Sequence, residues 1–436
     1  MPTRRVVLTS AAAAAASAVT AAVPARALAA RPSPASPSPS SAAPSAGREG
    51  APGRVRVRLP APGGPYPVGT VALRLVDTAR PDPWVAGERR RELMVSVRYP
   101  ALEAGRHRLA PQMLPGEAAG FDALNNLSGI PAGRVDWAAT RTHAHLGAPP
   151  APGPHPVVLY SPGAGDPRSW NATLVDDLAS RGYTVVTVDH TYDATAVEFP
   201  DGRVAHTVLP EEYARAVPDP EHPDPVKVAA LLKKTMDVRV ADTRFVLDAL
   251  PDALPPRLRA AADFGRTGMF GHSAGGFTAL QAMHDDPRLA AGANFDGVLA
   301  YVQNDPDRGY LSPVAADGLD RPFLLVGKDG NTRGTVPSWD ALWRRSRPGL
   351  RSGVTLRGAE HGTFTDAEPL VPQIARLLGL PAATVRGNTG TIGVRRAVTA
   401  ERALLAAFFD RWLRGGAGRG PHDGGLPRLP GVRPFR

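Results

Sequence analysis

The six residues Gly271-His272-Ser273-Ala274-Gly275-Gly276 constrain this chain more than any other stretch. They follow the short apolar run Thr267 to Phe270 and open an Ala/Leu-rich helical pattern. A G-x-S-x-G in that setting marks a strand that turns sharply into a helix. Such a turn holds the serine in a strained conformation, with its oxygen exposed and the next backbone N–H aimed at a reacting carbonyl. Gly271 and Gly275 stand where a side chain would collide as the helix folds back on the strand, and Gly276 continues the close packing. Ser273 is therefore a candidate nucleophile. The pattern also arises by chance in a Gly- and Ser-rich chain, so the weight rests on the strand before it and the helix after it.

The chain supplies a sheet for that turn. Val71 to Val76 and Leu93 to Tyr99 read as an antiparallel start. Pro156 to Tyr160, Thr184 to Val188, Thr267 to Phe270, Ala291 to Phe295, Phe323 to Val326 and Val354 to Leu356 follow as further strands. Helical patterns alternate with them: Leu174 to Ser180, Met236 to Leu250, and Thr399 to Leu413, whose stripe Leu404, Leu405, Phe408, Phe409 and Trp412 stops at Gly415-Gly416. This alternation predicts an α/β fold, a mostly parallel eight-stranded sheet with helices on both faces. Ala101 to Pro154 and Glu198 to Pro225 are too long for simple connections and are expected to form a cap over the site.

The flanks have a different character. Residues 1–29 read as an export signal: Arg4-Arg5, an Ala/Val-rich run from Val6 to Val23, and Ala27-Leu28-Ala29 as a small-x-small cleavage site. The arginine pair points to the twin-arginine route; Val7 and Thr9 depart from its usual residues and leave general secretion open. Alanine gives too little insertion energy, and Ser10, Ser17 and Thr20 interrupt the run, for a membrane-spanning helix. Residues 30–54 are a Pro/Ser-rich linker expected to be disordered, 55–415 the catalytic body, and 416–436 a flexible tail without periodicity. The chain has no cysteine, so it has neither a disulfide framework nor a lipid-modified thiol. Its formal charge of +10 is scattered, with Arg89-Arg90-Arg91 flanked by Glu88 and Glu92. A nucleic-acid partner would need those charges clustered. The surplus suits at most a peripheral contact with anionic lipid interfaces.

A serine hydroxyl needs a histidine base, and that base needs an acid to fix its tautomer and stabilise its charge. With a strand–turn–helix nucleophile the chain order is Ser, acid, His. His284 lies on the helix leaving the turn and His422 in the tail, so His361, in Gly358-Ala359-Glu360-His361-Gly362 after the last strand, is the candidate base. Two acids end consecutive strands, Asp296 and Asp329, and the residues alone do not separate them; Asp329-Gly330-Asn331 is also a good structural turn. The negative oxygen of the intermediate needs two backbone N–H donors. Ala274 supplies the first. Ala164, or failing it Gly163, in Ser161-Pro162-Gly163-Ala164-Gly165 is the candidate for the second. His143 and His145 have ligand-like spacing on one strand face, but no third ligand accompanies them, so no metal and no cofactor is expected. His190, at a strand end, is read as a second-layer hydrogen-bonding residue.

Gly-Pro-Tyr-Pro-Val-Gly-Thr (64–70), Arg-Glu-Leu-Met-Val-Ser-Val-Arg-Tyr-Pro (91–100), Gly-His-Ser-Ala-Gly-Gly (271–276), Phe295-Asp296-Gly297 and Gly358 to Phe364 together carry a resemblance. The set resembles the plasma-type, isoform II platelet-activating factor acetylhydrolases and their bacterial relatives, from about Arg58 to Leu413. The resemblance implies an α/β-hydrolase fold and takes the acid from the strand after the elbow helix, which maps onto Asp296 rather than Asp329. It further implies cleavage of short or oxidised acyl chains from phospholipids without metal or cofactor. Ser161-Pro162 departs from relatives that carry a histidine before the glycine. The resulting expectation is a secreted serine esterase acting on small-molecule or lipid esters through Ser273, His361 and Asp296. A lipase or polyester hydrolase of the same fold, and a noncatalytic binding protein, are the alternatives.

Overall fold

The computed structural model describes residues 53–415 and 426–435. The expected export signal, nearly all of the expected linker, and 416–425 of the tail lie outside the described residues.

Thirteen strands lie among the described residues: β1 (Val68–Asp77), β2 (Arg91–Pro100), β3 (Leu109–Pro111), β4 (Arg141–Leu146), β5 (His155–Ser161), β6 (Thr184–Asp189), β7 (Ala196–Glu198), β8 (Val204–His206), β9 (Ala262–His272), β10 (Leu289–Phe295), β11 (Phe323–Gly327), β12 (Arg351–Leu356) and β13 (Val432–Pro434). Eleven of them form one sheet in the order β13-β12-β11-β10-β9-β5-β6-β2-β1-β4-β3, and β7 pairs with β8 in a separate hairpin. From β6 through β12 the pairings are all parallel. β2 enters antiparallel on β6 and β1 on β2. All eight expected strands are present, and the sheet is larger than the eight predicted.

The parallel strands are buried on both faces, so their sequences are continuous apolar runs rather than alternations. Successive residues still go to opposite sides. Val157, Leu159, Met269, Phe323 and Leu325 join one core with Met236 and Leu247 of the helix Pro225–Ala253 and Leu280 of the helix Ala274–Asp285. Val158, Tyr160, Phe270, Leu324 and Val326 join the other, with Leu174 of the helix Ala172–Ser180 and Leu404, Phe408 and Phe409 of the helix Val394–Arg414. The turn from Gly271 to Gly275 is thereby held between two packed layers.

Two expectations need correction. The first of the two segments read as cap also builds the sheet: β4 pairs parallel with β1, and β3 with β4, at its edge. A short strand of three to six residues gives too little period to read beside the polar sequence around it. The tail is not free along its whole length either. Its end, expected to be flexible, adds β13 antiparallel to β12, and Phe435 stacks on Trp339 with ring centroids 5.8 Å apart. A Cβ on Gly353 would lie 2.2 Å from the Phe435 ring, so glycine there opens the seat for the aromatic. One aromatic anchor is enough to dock a segment that shows no periodicity.

Candidate active site

β9 ends at His272, and the helix Ala274–Asp285 starts one residue later. Ser273 between them has φ 55° and ψ −121°, a conformation that costs a non-glycine residue about 1–3 kcal/mol and persists only where the surroundings impose it. Those surroundings are visible. Ser273 N–H donates to Phe295 O at 2.8 Å, tying the turn to β10. A Cβ on Gly275 would lie 1.9 Å from Ser161 O, and one on Gly271 2.2 Å from the Gly275 backbone. On Gly276 it would meet Asn294 Oδ1 at 2.2 Å. Buried Asn294 uses that same side chain to hold Gly297, accepting from its N–H at 2.7 Å and donating to its carbonyl at 2.8 Å. The three glycines therefore let the helix, the end of β5 and the end of β10 meet at one point. The Ser273 hydroxyl is half-buried and makes no hydrogen bond among the described residues.

Asp296 follows β10 at φ 56° and is buried. Its Oδ2 accepts from His361 Nδ1 at 2.7 Å, while Oδ1 accepts from Lys328 N–H at 3.0 Å and from Asn331 Nδ2 at 2.9 Å. Burial alone would raise this carboxyl, and the hydrogen bond and charge of His361 outweigh it, so its pKa falls below the usual carboxylate value. The imidazole shows the converse: burial disfavours its charged form, but the hydrogen bond and charge of Asp296 raise its pKa above the ordinary 6.5. The His361 side chain is 38% exposed, with Nε2 bonded to nothing among the described residues. Its ring lies 4.5 Å from that of His272, next to Ser273 in sequence, and His272 Nε2 donates to the His361 carbonyl at 3.0 Å. No hydrogen bond joins Ser273 Oγ to the imidazole directly.

Asp329 stands apart. It is exposed, and its Oδ2 accepts from Gly358 N–H at 2.9 Å while its own N–H donates to Ala359 O at 3.0 Å. It braces the loop that carries His361 and does not hydrogen-bond the ring.

The loop after β5 lies against the elbow, as the Gly275–Ser161 approach shows. Among the described residues the N–H groups of Gly163, Ala164 and Ala274 make no hydrogen bond, whereas Gly165 N–H donates to Asp193 Oδ1 at 3.0 Å. Both candidates for the second donor, Ala164 and Gly163, thus keep an open N–H.

Beneath this loop is a second Ser-His-Asp arrangement that the residue patterns did not announce. Ser161 Oγ and His190 Nε2 are 2.9 Å apart, and His190 Nδ1 and Asp242 Oδ2 3.0 Å. Asp242 in turn receives Arg91. Ser161, His190 and Asp242 are 0%, 1% and 0% exposed, so no substrate carbonyl reaches that serine. The His Nδ1–Asp pair matches the first set, and here the serine is bonded to the ring as well; access separates the two. His143 and His145 spend ring nitrogens on the carbonyls of Leu59 and His107, and His284 lies among Asp285 and Asp317 on the surface.

Residues 53–207 match the family described as platelet-activating factor acetylhydrolase, isoform II, a stretch that includes the loop after β5 and ends before the elbow. A probable 1-alkyl-2-acetylglycerophosphocholine esterase of Arthroderma benhamiae is 29% identical over 392 residues, 85% of this chain and 91% of that protein. The structure of a ferulic acid esterase from Streptomyces cinnamoneus superposes with a TM-score of 0.66 at 35% identity, covering 87% of this chain and 99% of the other. The chain is similar to the isoform II platelet-activating factor acetylhydrolases within its N-terminal half. It has the α/β-hydrolase fold and is a carboxylic ester hydrolase.

Proposed function

We propose that the chain hydrolyses small-acyl esters through a Ser273–His361–Asp296 triad. The observation that carries this is the Asp296 Oδ2–His361 Nδ1 pair at 2.7 Å beside a serine held at positive φ with an unengaged hydroxyl. Asp296 keeps the imidazole proton on Nδ1, so Nε2 presents its lone pair and takes the Ser273 proton as Oγ attacks the ester carbonyl. The N–H groups of Ala274 and Ala164 hold the negative oxygen that forms. Collapse breaks the bond to the alcohol, which leaves with the proton from Nε2. Water, deprotonated by the same nitrogen, then hydrolyses the acyl-enzyme and regenerates Ser273.

The acetyl ester in the name of the Arthroderma relative and the family match favour a short acyl group, on a phospholipid or another alcohol. A second reading, an aromatic hydroxycinnamoyl ester, is favoured by 35% identity to a ferulic acid esterase. Rates on nitrophenyl acetate, butyrate and decanoate, an acetylated phospholipid and methyl ferulate distinguish them. We expect acetyl and butyryl esters to lead; preference for decanoate or for insoluble polyester would transfer the protein to the lipase or polyester-hydrolase reading. Absence of any Ser273-dependent turnover would leave a binding protein. The Arg4-Arg5 leader supports export of the enzyme, and the mass of the mature N-terminus, expected to begin near Ala30, tests it.

A further inference from the structure

The oxyanion loop is gripped by a charged pair that is remote from it in sequence. Arg239, midway along the helix Pro225–Ala253, is fully buried and pairs two-pronged with Asp193: Nε to Oδ2 at 2.7 Å and Nη2 to Oδ1 at 2.6 Å. The same guanidinium donates to two successive loop carbonyls, Nη1 to Pro162 O at 2.7 Å and Nη2 to Gly163 O at 2.9 Å. Asp193 Oδ1 also accepts from Gly165 N–H at 3.0 Å. One ion pair thus fixes three backbone groups in the four residues from Pro162 to Gly165.

We infer that Arg239 and Asp193 are positioning residues that aim the oxyanion-binding N–H groups. The peptide unit is planar and trans, so its N–H points opposite to its C=O. The Gly163 carbonyl and the Ala164 N–H belong to one such plane, as do the Pro162 carbonyl and the Gly163 N–H. Holding both carbonyls toward Arg239 turns both N–H groups to the other side of the loop. Whichever of Ala164 and Gly163 binds the oxyanion, the same guanidinium sets its direction. A glycine-containing loop has little orientation of its own, and donors act in catalysis only if they are aimed before charge develops. A lysine at 239 is not equivalent, because a single ammonium cannot span a carboxylate and two carbonyls with fixed fork geometry.

This inference rests on the triad and oxyanion reading above, and the experiment separates their failures. Wild type, Ser273→Ala, Arg239→Lys and Asp193→Asn are compared for kcat, KM and inhibition by an alkyl trifluoromethyl ketone, whose adduct with serine places an oxyanion against the donors. Circular dichroism and thermal melts establish folding. Removal of one oxyanion donor costs about 10²–10³ in kcat. We expect folded Arg239→Lys to lose kcat on that order with KM changed less than about threefold, and to lose affinity for the ketone in parallel. Asp193→Asn, nearly isosteric and still offering one acceptor oxygen, is expected to lose about tenfold in both. It carries the test alone if Arg239→Lys does not fold. A folded variant with kcat and ketone affinity within about twofold of wild type, or one in which only KM rises, overturns the inference. Activity surviving in Ser273→Ala overturns the underlying reading instead.

Discussion

Replacing Asp296 by Asn tests the proposed acid with almost no change in volume. The carboxylate receives two N–H donors on Oδ1, from Lys328 and Asn331, and one on Oδ2, from His361 Nδ1. An asparagine has one oxygen and one NH2. The oxygen goes where two donors wait, which turns the NH2 toward Nδ1. To avoid two donors facing each other, the imidazole shifts its proton to Nε2, the atom that must accept the Ser273 proton. The base is then in the wrong tautomer, and the imidazolium that forms during reaction loses its counter-charge. The corresponding change in a serine protease triad costs about 10⁴ in kcat; we expect a loss of about 10³–10⁴, or about 4–5.5 kcal/mol of transition-state stabilisation. Asp329→Asn removes a charge from an exposed brace whose oxygen can still accept from Gly358 N–H, so its effect should stay within about fivefold. The assay is kcat on nitrophenyl acetate at pH 8, with melting curves to show that both variants fold. A loss of several orders in Asp329→Asn with Asp296→Asn nearly intact would refute the assignment.

Ser161→Ala should still react with a fluorophosphonate probe while Ser273→Ala should not, because only Ser273 has access; Ser161→Ala should also cost about 1–3 kcal/mol of stability by leaving His190 Nε2 without its partner, read from urea unfolding. The logarithm of kcat/KM should rise with pH and level off through an inflection above 6.5, since Asp296 raises the pKa of His361 and only the neutral imidazole is a base; an inflection at or below 6.5 in wild type contradicts this. The contribution of three buried carboxyls to stability should fall as pH rises from about 4 toward 7 and beyond. Burial raises the carboxyl of Glu401 well above its usual value, that of Glu368 to about 7 and that of Asp366 to about 6. The folded protein therefore holds protons that the unfolded chain releases from its lower pKa upward, and their stabilisation is complete below that pKa and gone above the folded one. Glu401→Gln should accordingly raise Tm at pH 8 by a few degrees and by much less at pH 4, as followed by scanning calorimetry; an equal shift at both pH values would show that the charge is not the cause.

The elbow and the sheet that carries it were legible in the residues because each follows from a local rule. Gly271, Gly275 and Gly276 lie where the backbone of another element comes too close for a Cβ, and the spacing of those positions is set by the turn itself. The apolar runs that became β5, β6, β9, β10, β11 and β12 are continuous because a parallel strand is buried on both faces. The choice between Asp296 and Asp329 was not available at that level. Both end a parallel strand beside the same edge, and only the resemblance to known relatives favoured the first. What separates them in the structure is where the loop Gly358 to His361 comes down: it returns its ring to Asp296 and its backbone to Asp329.

The sequence by itself determined that a serine would be strained and presented at a strand end, since this depends on residues adjacent along the chain. Only the tertiary structure decided which hydroxyl is open, Ser273 rather than Ser161, and which buried cation holds the loop beside it. Arg239, Asp193 and Asp242 come from a helix and a loop that reach β5 through packing, and no spacing in the chain encodes that meeting. A hydrogen bond is short in range, whereas the fold that brings its partners within 3 Å is the sum of many apolar contacts spread over the whole sheet.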